Sequence, residues 1–242
     1  MKANHLLVFF MVFMAIADQF FILRLKRTNN PMARLHTYWL ILGWLWLATI
    51  TAVWIAGPRA LWYAHLNPTE GKWLPGPLEL GLIGIVSLAA LFMPVVVVTR
   101  KPAAASNLAR ALDKLRFFLP TTSRERFWWA LLSITAGICE ETLFRSFLLQ
   151  YLRADPWRLG LAGAIAVACL LFALGHLYQG IVAACGTGVL AVLFFILFLG
   201  SGSLLIPMLL HALADLRVLV FLQLAEPHRQ SRVREGISSP RK

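Results

Sequence analysis

The chain places ionisable side chains inside stretches that are otherwise apolar. One reads Cys139-Glu140-Glu141-Thr142-Leu143-Phe144-Arg145, a second Phe172-Ala173-Leu174-Gly175-His176, and a third His211-Ala212-Leu213-Ala214-Asp215. Carboxylates and imidazoles together are the side chains of proton transfer. A base can take a proton from water, and ring N–H groups can meet charge growing on an oxygen. On a helix, Glu141 and Arg145 are four apart, share a face and can pair, which lowers the cost of burying either one. Glu140 is turned about 100° from its neighbour and has no partner within its own helix. It is better placed to face a polar cavity, where it would suit a general base. Spacing of four also puts His211 and Asp215 on one face, where Asp215 can accept a ring N–H and fix the tautomer of His211. Phe172 lies one turn before His176 and can pack against its ring. Each group has a plainer reading beside it. The glutamates and Arg145 could be a salt-bridge knot between helices. His176 could be a satisfied core residue, and His211 with Asp215 a self-contained polar pair.

The elements that hold these residues are expected to be membrane helices. The 242 residues are 59% hydrophobic and 14% charged, whereas soluble domains are about half apolar and a quarter charged. Several runs exceed the roughly 18 apolar residues of a spanning helix. The expected fold is all-α, a polytopic transmembrane helix bundle of about seven spans, near 5–23, 38–56, 80–98, 127–151, 159–177, 181–199 and 204–224. With seven spans, sixteen Lys and Arg fall in the loops of one side and five in those of the other. The positive-inside rule then puts the N-terminus outside and the C-terminus in the cytoplasm. The same rule accounts for the formal charge of +12 and argues against nucleic-acid binding. Trp39, Trp54, Trp128 and Trp129 sit near span ends, as in an aromatic belt.

Three parts follow: N-terminal spans and a basic cytoplasmic loop over 1–126, a membrane core over 127–225, and a basic disordered tail over 226–242. Ala15-Ile16-Ala17 resembles a signal-peptide cleavage site, but the basic loop just after it favours an uncleaved first span. Between Ala104 and Phe118, Leu108, Leu112 and Leu115 fit either an amphipathic helix on the cytoplasmic face or a plain linker. Thr122-Ser123-Arg124-Glu125 suits a helix start. Cys139, Cys169 and Cys185 form no metal or disulfide pattern and read as buried, inert thiols.

Ionisable residues inside spans are costly, so each needs a reason. The main ones are Asp18, Glu140, Glu141, Arg145, His176, His211, Asp215 and Arg217. All but Asp18 lie in the last four spans. Counted along ideal helices, Glu140 and His211 reach similar depths. His176 comes out only about 5 Å from the cytoplasmic face, unless the turn at Gly175 and Gly180 is early and buried.

The three motifs in this order, EExxxR, FxxxH and HxxxD, resemble those of the CAAX protease and bacteriocin-processing family, also called the Abi family. The resemblance covers roughly 127–224. It implies an intramembrane endopeptidase acting on a membrane-associated peptide or protein, in a bacterial inner membrane. By motif, Glu140 activates water, His176 assists it, and His211 and the last motif residue stabilise the oxyanion; Glu141, Arg145 and Phe172 give structural support. That last residue is often Asn in the family and here is Asp215. An ionised Asp cannot donate to an oxyanion, so orienting His211 is the role preferred for it. No metal is favoured. Zinc on Glu140, His176 and His211 is the alternative, although there is no HExxH. The competing functions are a non-catalytic scaffold or bacteriocin self-immunity protein, and a transporter or proton pathway.

Overall fold

The computed structural model describes residues 2–28, 30–64, 66, 68–72 and 74–234. The described chain is all-helical apart from an isolated bridge between Tyr63 and Ser203. Helices α1 (Lys2–Thr28) and α2 (Pro31–Ala56) are followed by two short ones, α3 (Pro58–Trp62) and α4 (Pro68–Gly71). Next come α5 (Pro77–Arg100), α6 (Pro102–Leu115) and α7 (Ser123–Glu140). The last of these runs without a break into a π-helical stretch, Glu141–Leu148, and then into α8 (Leu149–Arg153). Helix α9 (Leu161–Leu174), a 3₁₀ turn (Leu177–Gln179), α10 (Ile181–Ser201) and α11 (Leu205–Arg234) complete the bundle.

Five helical stretches are long and apolar enough to cross a membrane: Ala3–Thr28, Met32–Ala56, Pro77–Arg100, Ile181–Ser201 and Leu205–Ser231. Their outer faces carry large apolar side chains such as Phe9, Trp54, Val182 and Val189 in the open. Arg145, Glu141 and Glu125, by contrast, are fully enclosed. This arrangement suits a lipid surround, and the protein is an integral membrane protein. The α7–α8 rod covers the expected fourth span. Helix α9, with 14 residues, is about 21 Å long and falls short of a bilayer core of roughly 30 Å.

The main hydrophobic cluster joins Leu7, Tyr38 and Leu45 to Trp129, Leu132 and Leu143, so it runs across the 126/127 boundary. Helix α7 packs on both α2 and α11, and α1 packs on α2 and on the 3₁₀ turn. The start of α7 is tied down strongly. Thr122 Oγ1 accepts from the Glu125 amide (3.2 Å), and Glu125 Oε2 accepts from the amides of Thr121 (2.7 Å) and Thr122 (3.0 Å). Arg34 Nε lies 2.8 Å from Glu125 Oε1 in a buried ion pair. Arg34 is therefore an internal clamp between α2 and α7 rather than a free loop charge.

The segment before α7 is a helix, α6, the first of the two readings of Leu108, Leu112 and Leu115; it buries Ala105 and Ala109 and lies against α5 and α11. Three expectations need correction. Residues 226–234, expected to be disordered, continue α11 through Pro227; residues 235–242 lie outside the described residues. Helix continues there because Glu226 holds Arg229 one turn on (3.1 Å) and Arg229 reaches Asp113 of α6 (3.8 Å). Cys185 is exposed, whereas Cys139 and Cys169 are buried. Trp129 is no belt residue: it is buried between Tyr38 and Phe118.

Candidate active site

The closest approach of α7 and α11 sets the site. A Cβ on Gly137 would lie 2.7 Å from the Met208 carbonyl oxygen and 2.9 Å from both the Ala212 nitrogen and Cβ. Only glycine lets the two backbones meet this closely. One turn further along α7 come Glu140 and Glu141, level with His211 on α11.

The π-helical stretch begins at Glu141. Its wider turn changes which side chains face inward. Seven of its eight residues are buried, Phe144 alone being partly open. Arg145 Nε lies 3.0 Å from Glu141 Oε2, and both side chains are fully enclosed. The guanidinium also stacks over Phe172, 4.2 Å from the ring centroid, with Phe194 at 5.4 Å and Phe195 at 5.8 Å. The cation is thus held by one carboxylate and an aromatic wall. Phe172 does more than back His176: its ring lies 4.6 Å from the His176 ring and 6.0 Å from that of His211.

His211 is oriented by a different residue from the one its spacing indicates. Its Nδ1 is 2.6 Å from Glu141 Oε1, while its Nε2 is 3.7 Å from Asp215 Oδ2, beyond hydrogen-bond distance. Glu141, already paired with Arg145, is a carboxylate and only accepts. The Nδ1 of His211 therefore carries the hydrogen, and Nε2 points to the side of Glu140 Oε2, 3.8 Å away. Asp215 is not the residue that fixes the tautomer. Helix packing brings a third carboxylate, Glu141, closer to the ring than the one four residues along. Asp215 instead stands at the rim, with its side chain 41% exposed, and its backbone carbonyl accepts from Trp129 Nε1 (3.4 Å).

His176 follows the end of α9. Its Nδ1 is 2.8 Å from the Phe172 carbonyl oxygen. A carbonyl only accepts, so Nδ1 donates and the neutral ring keeps a lone pair on Nε2. Placed at a different depth by an ideal-helix count, His176 nonetheless lines the same cavity as Glu140. Helix α9 stops at Leu174, and Gly180, with φ +97°, lets the chain turn into α10.

Glu140, His176, His211 and Asp215 all line one cavity of about 320 Å³. Glu140 Oε2 is buried in it without a hydrogen-bond partner. Among the described residues, no three or more His, Cys, Asp or Glu side chains are grouped to hold a metal ion. The cavity also takes in residues the motifs do not include. Asp18 of α1 and Trp44 of α2 line it, and Trp44 Nε1 donates to Asp18 Oδ2 (2.7 Å). Asp18 stood out in the sequence as an unexplained charge in a span. Nothing in the sequence pointed to Gly137 or Trp44.

The residues of the three motifs fall within a single family match. Residues 122–217 match the family type II CAAX prenyl endopeptidase Rce1-like. This agrees with the resemblance read from the three motifs. The Rce1-like segment holds Glu140, Glu141, Arg145, Phe172, His176, His211 and Asp215, and it is less than half of the chain. Asp18, Trp44 and Arg34 lie outside it. No curated protein and no solved structure matches the chain.

Proposed function

We propose that the chain is a glutamate-type intramembrane endopeptidase acting on a membrane-associated protein or peptide, with CAAX-type processing as the activity its Rce1-like segment implies. The carrying observation is the buried Glu140 Oε2, without a hydrogen-bond partner, in a cavity shared with two histidines whose Nδ1 atoms are already engaged, that of His176 by the Phe172 carbonyl and that of His211 by Glu141. Water entering between Glu140 and His176 gives one proton to the Glu140 carboxylate and hydrogen-bonds with the other to the His176 Nε2 lone pair. The resulting hydroxide attacks the scissile carbonyl. His211, when doubly protonated, donates from Nε2 to the oxyanion while Nδ1–H stays with Glu141. The proton on Glu140 then passes to the leaving amine as the C–N bond breaks. Arg145 and Phe172 hold Glu141 and so, at one remove, His211. The mechanism uses no metal.

If the chain crosses seven times, with α9 as the shortest crossing, the distribution of loop charge supports an N-terminus outside and a cytoplasmic C-terminus; a bacterial inner membrane is the setting the family resemblance implies. The buried knot of Arg145, Glu141 and Phe172 would also serve a non-catalytic scaffold, so the test must separate the two.

Purified protein in proteoliposomes is given membrane-anchored peptides, prenylated and unprenylated. Glu140→Gln is expected to lower cleavage by about 10²- to 10⁴-fold, and a chelator to leave the wild-type rate unchanged. Cleavage by Glu140→Gln at the wild-type rate would sink the mechanism, and loss of activity in chelator restored by zinc would replace it with a metal-dependent one. A scaffold predicts no cleavage by either protein and full biological function of Glu140→Gln.

A further inference from the structure

Besides Glu140 and Asp215, the cavity has a carboxylate outside the three motifs whose presence the hydrolytic mechanism does not explain. Asp18 is 8% exposed. Trp44 occupies its Oδ2, and Oδ1 is buried without a hydrogen-bond partner. No Lys, Arg or His among the described residues pairs with it. A buried carboxylate inside a membrane helix is expensive unless something neutralises it. The residue lies on the α1 face of Ala15, Asp18 and Ile22 that walls the catalytic cavity.

The surroundings indicate what would neutralise it. Trp44, Phe118, Trp129 and Tyr178 line the same space. Phe118 stacks edge-on with Trp129 (5.4 Å) and with Tyr178 (5.5 Å), so these three rings form one continuous wall. Carboxylates with aromatic faces are the chemistry that receives an ammonium or guanidinium group. Asp18, Glu140 and Asp215 bring three carboxyl groups to this cavity. Arg217 also lines it, but its Nη1 donates to the Leu91 carbonyl (3.0 Å) and its guanidinium lies over Phe221 (5.1 Å).

We infer that Asp18, held by Trp44, is a specificity residue that receives a basic side chain of the peptide substrate near its scissile bond. The inference rests on the endopeptidase reading and deepens it: the preferred substrate is an apolar, membrane-associated peptide with a Lys or Arg close to the cleaved bond. Asp18 and Trp44 belong to α1 and α2, outside the Rce1-like segment, whereas Trp129 and Tyr178 of the aromatic wall lie within it, so substrate choice draws on a part of the chain that the chemistry does not use.

Binding tests this apart from cleavage. The full-length Glu140→Gln protein in detergent micelles is titrated with two N-acetylated, fluorescently labelled apolar peptides that differ only by Lys or norleucine at one position. This position is scanned along the peptide, and acetylation removes the α-amine as a rival cation. At one position the Lys peptide is expected to bind about tenfold or more tightly than its twin. Adding Asp18→Asn should abolish that preference while leaving norleucine-peptide affinity unchanged and thermal stability no lower, because an Asn oxygen can still accept from Trp44 and the buried charge is gone. Equal affinity for both peptides at every position, survival of the Lys preference in Asp18→Asn, or loss of both peptides together would each overturn the inference. Cleavage is scored separately with Glu140 restored. If the Lys preference is present but neither peptide is cut, the binding subsite stands and the endopeptidase reading fails.

Discussion

Adding a single methyl group at Gly137 should disturb both the fold and the chemistry. In Gly137→Ala the new Cβ would stand 2.7 Å from the Met208 carbonyl oxygen and 2.9 Å from two atoms of Ala212, where ordinary contact begins at 3.4 Å. Two of the three atoms are backbone, so no side-chain rotation can relieve the contact. Helices α7 and α11 must part by about 0.5 to 0.7 Å, and overpacking of this kind costs roughly 1–3 kcal/mol. The parting acts one turn before the 2.6 Å contact between Glu141 and His211 Nδ1. It lengthens that hydrogen bond towards the limit of useful geometry. A misplacement approaching 1 Å can cost about 10²-fold in rate. Thermal unfolding in detergent reads the first effect, and cleavage of a membrane-anchored peptide reads the second. Combining the change with Ala212→Gly removes one of the clashing atoms and should restore part of both losses, as expected for coupled neighbours. If Gly137→Ala unfolds at the wild-type temperature and cuts at the wild-type rate, the α7–α11 approach does not set the site.

Two further predictions concern stability. Arg145→Met strands Glu141 beside His211 and empties the space over Phe172, and is expected to destabilise by about 3–5 kcal/mol. Adding Glu141→Gln should recover part of the loss, and an unfolding midpoint unchanged in the single variant would contradict the buried pair. Acid should release the clamp at the start of α7. Burial raises the Glu125 carboxyl, but hydrogen bonds from the Thr121 amide, Arg34, the Thr121 hydroxyl and the Thr122 amide outweigh it, and the group stays below the usual carboxylate range. A depressed folded value means that Glu125 stabilises the protein above the ordinary carboxylate pKa of about 4.3, and that the contribution fades as the pH falls through the folded value. Denaturation followed between neutral and acid pH should therefore show a loss in wild type that is shallower in Glu125→Gln. Equal pH dependence in the two would refute the assignment.

Interactions within one helix were legible in the sequence; those between helices were legible only in part. Glu141 and Arg145 are four residues apart, and that distance alone puts them on one face. The same arithmetic turned Glu140 away from them. The capping box at Thr122 and Glu125 is likewise local, because its bonds close within four residues. The apolar composition carried the membrane assignment and the all-α fold, since a bilayer leaves backbone groups few other ways to be satisfied.

The choice among partners was a tertiary matter. His211 has Asp215 four residues along, yet it hydrogen-bonds to Glu141, seventy positions away, because glycine at position 137 lets α11 come close enough. His176, just past the end of α9, lines the cavity with Glu140, although an ideal-helix count put the two at different depths. Arg34 looked like a topology signal and is a buried partner of Glu125. Asp18 looked like a stray charge and lines the catalytic cavity. Periodicity assigns each side chain to a face of its own helix. Which faces meet depends on where backbones can touch, and here a single missing Cβ at Gly137 sets the contact that orients His211.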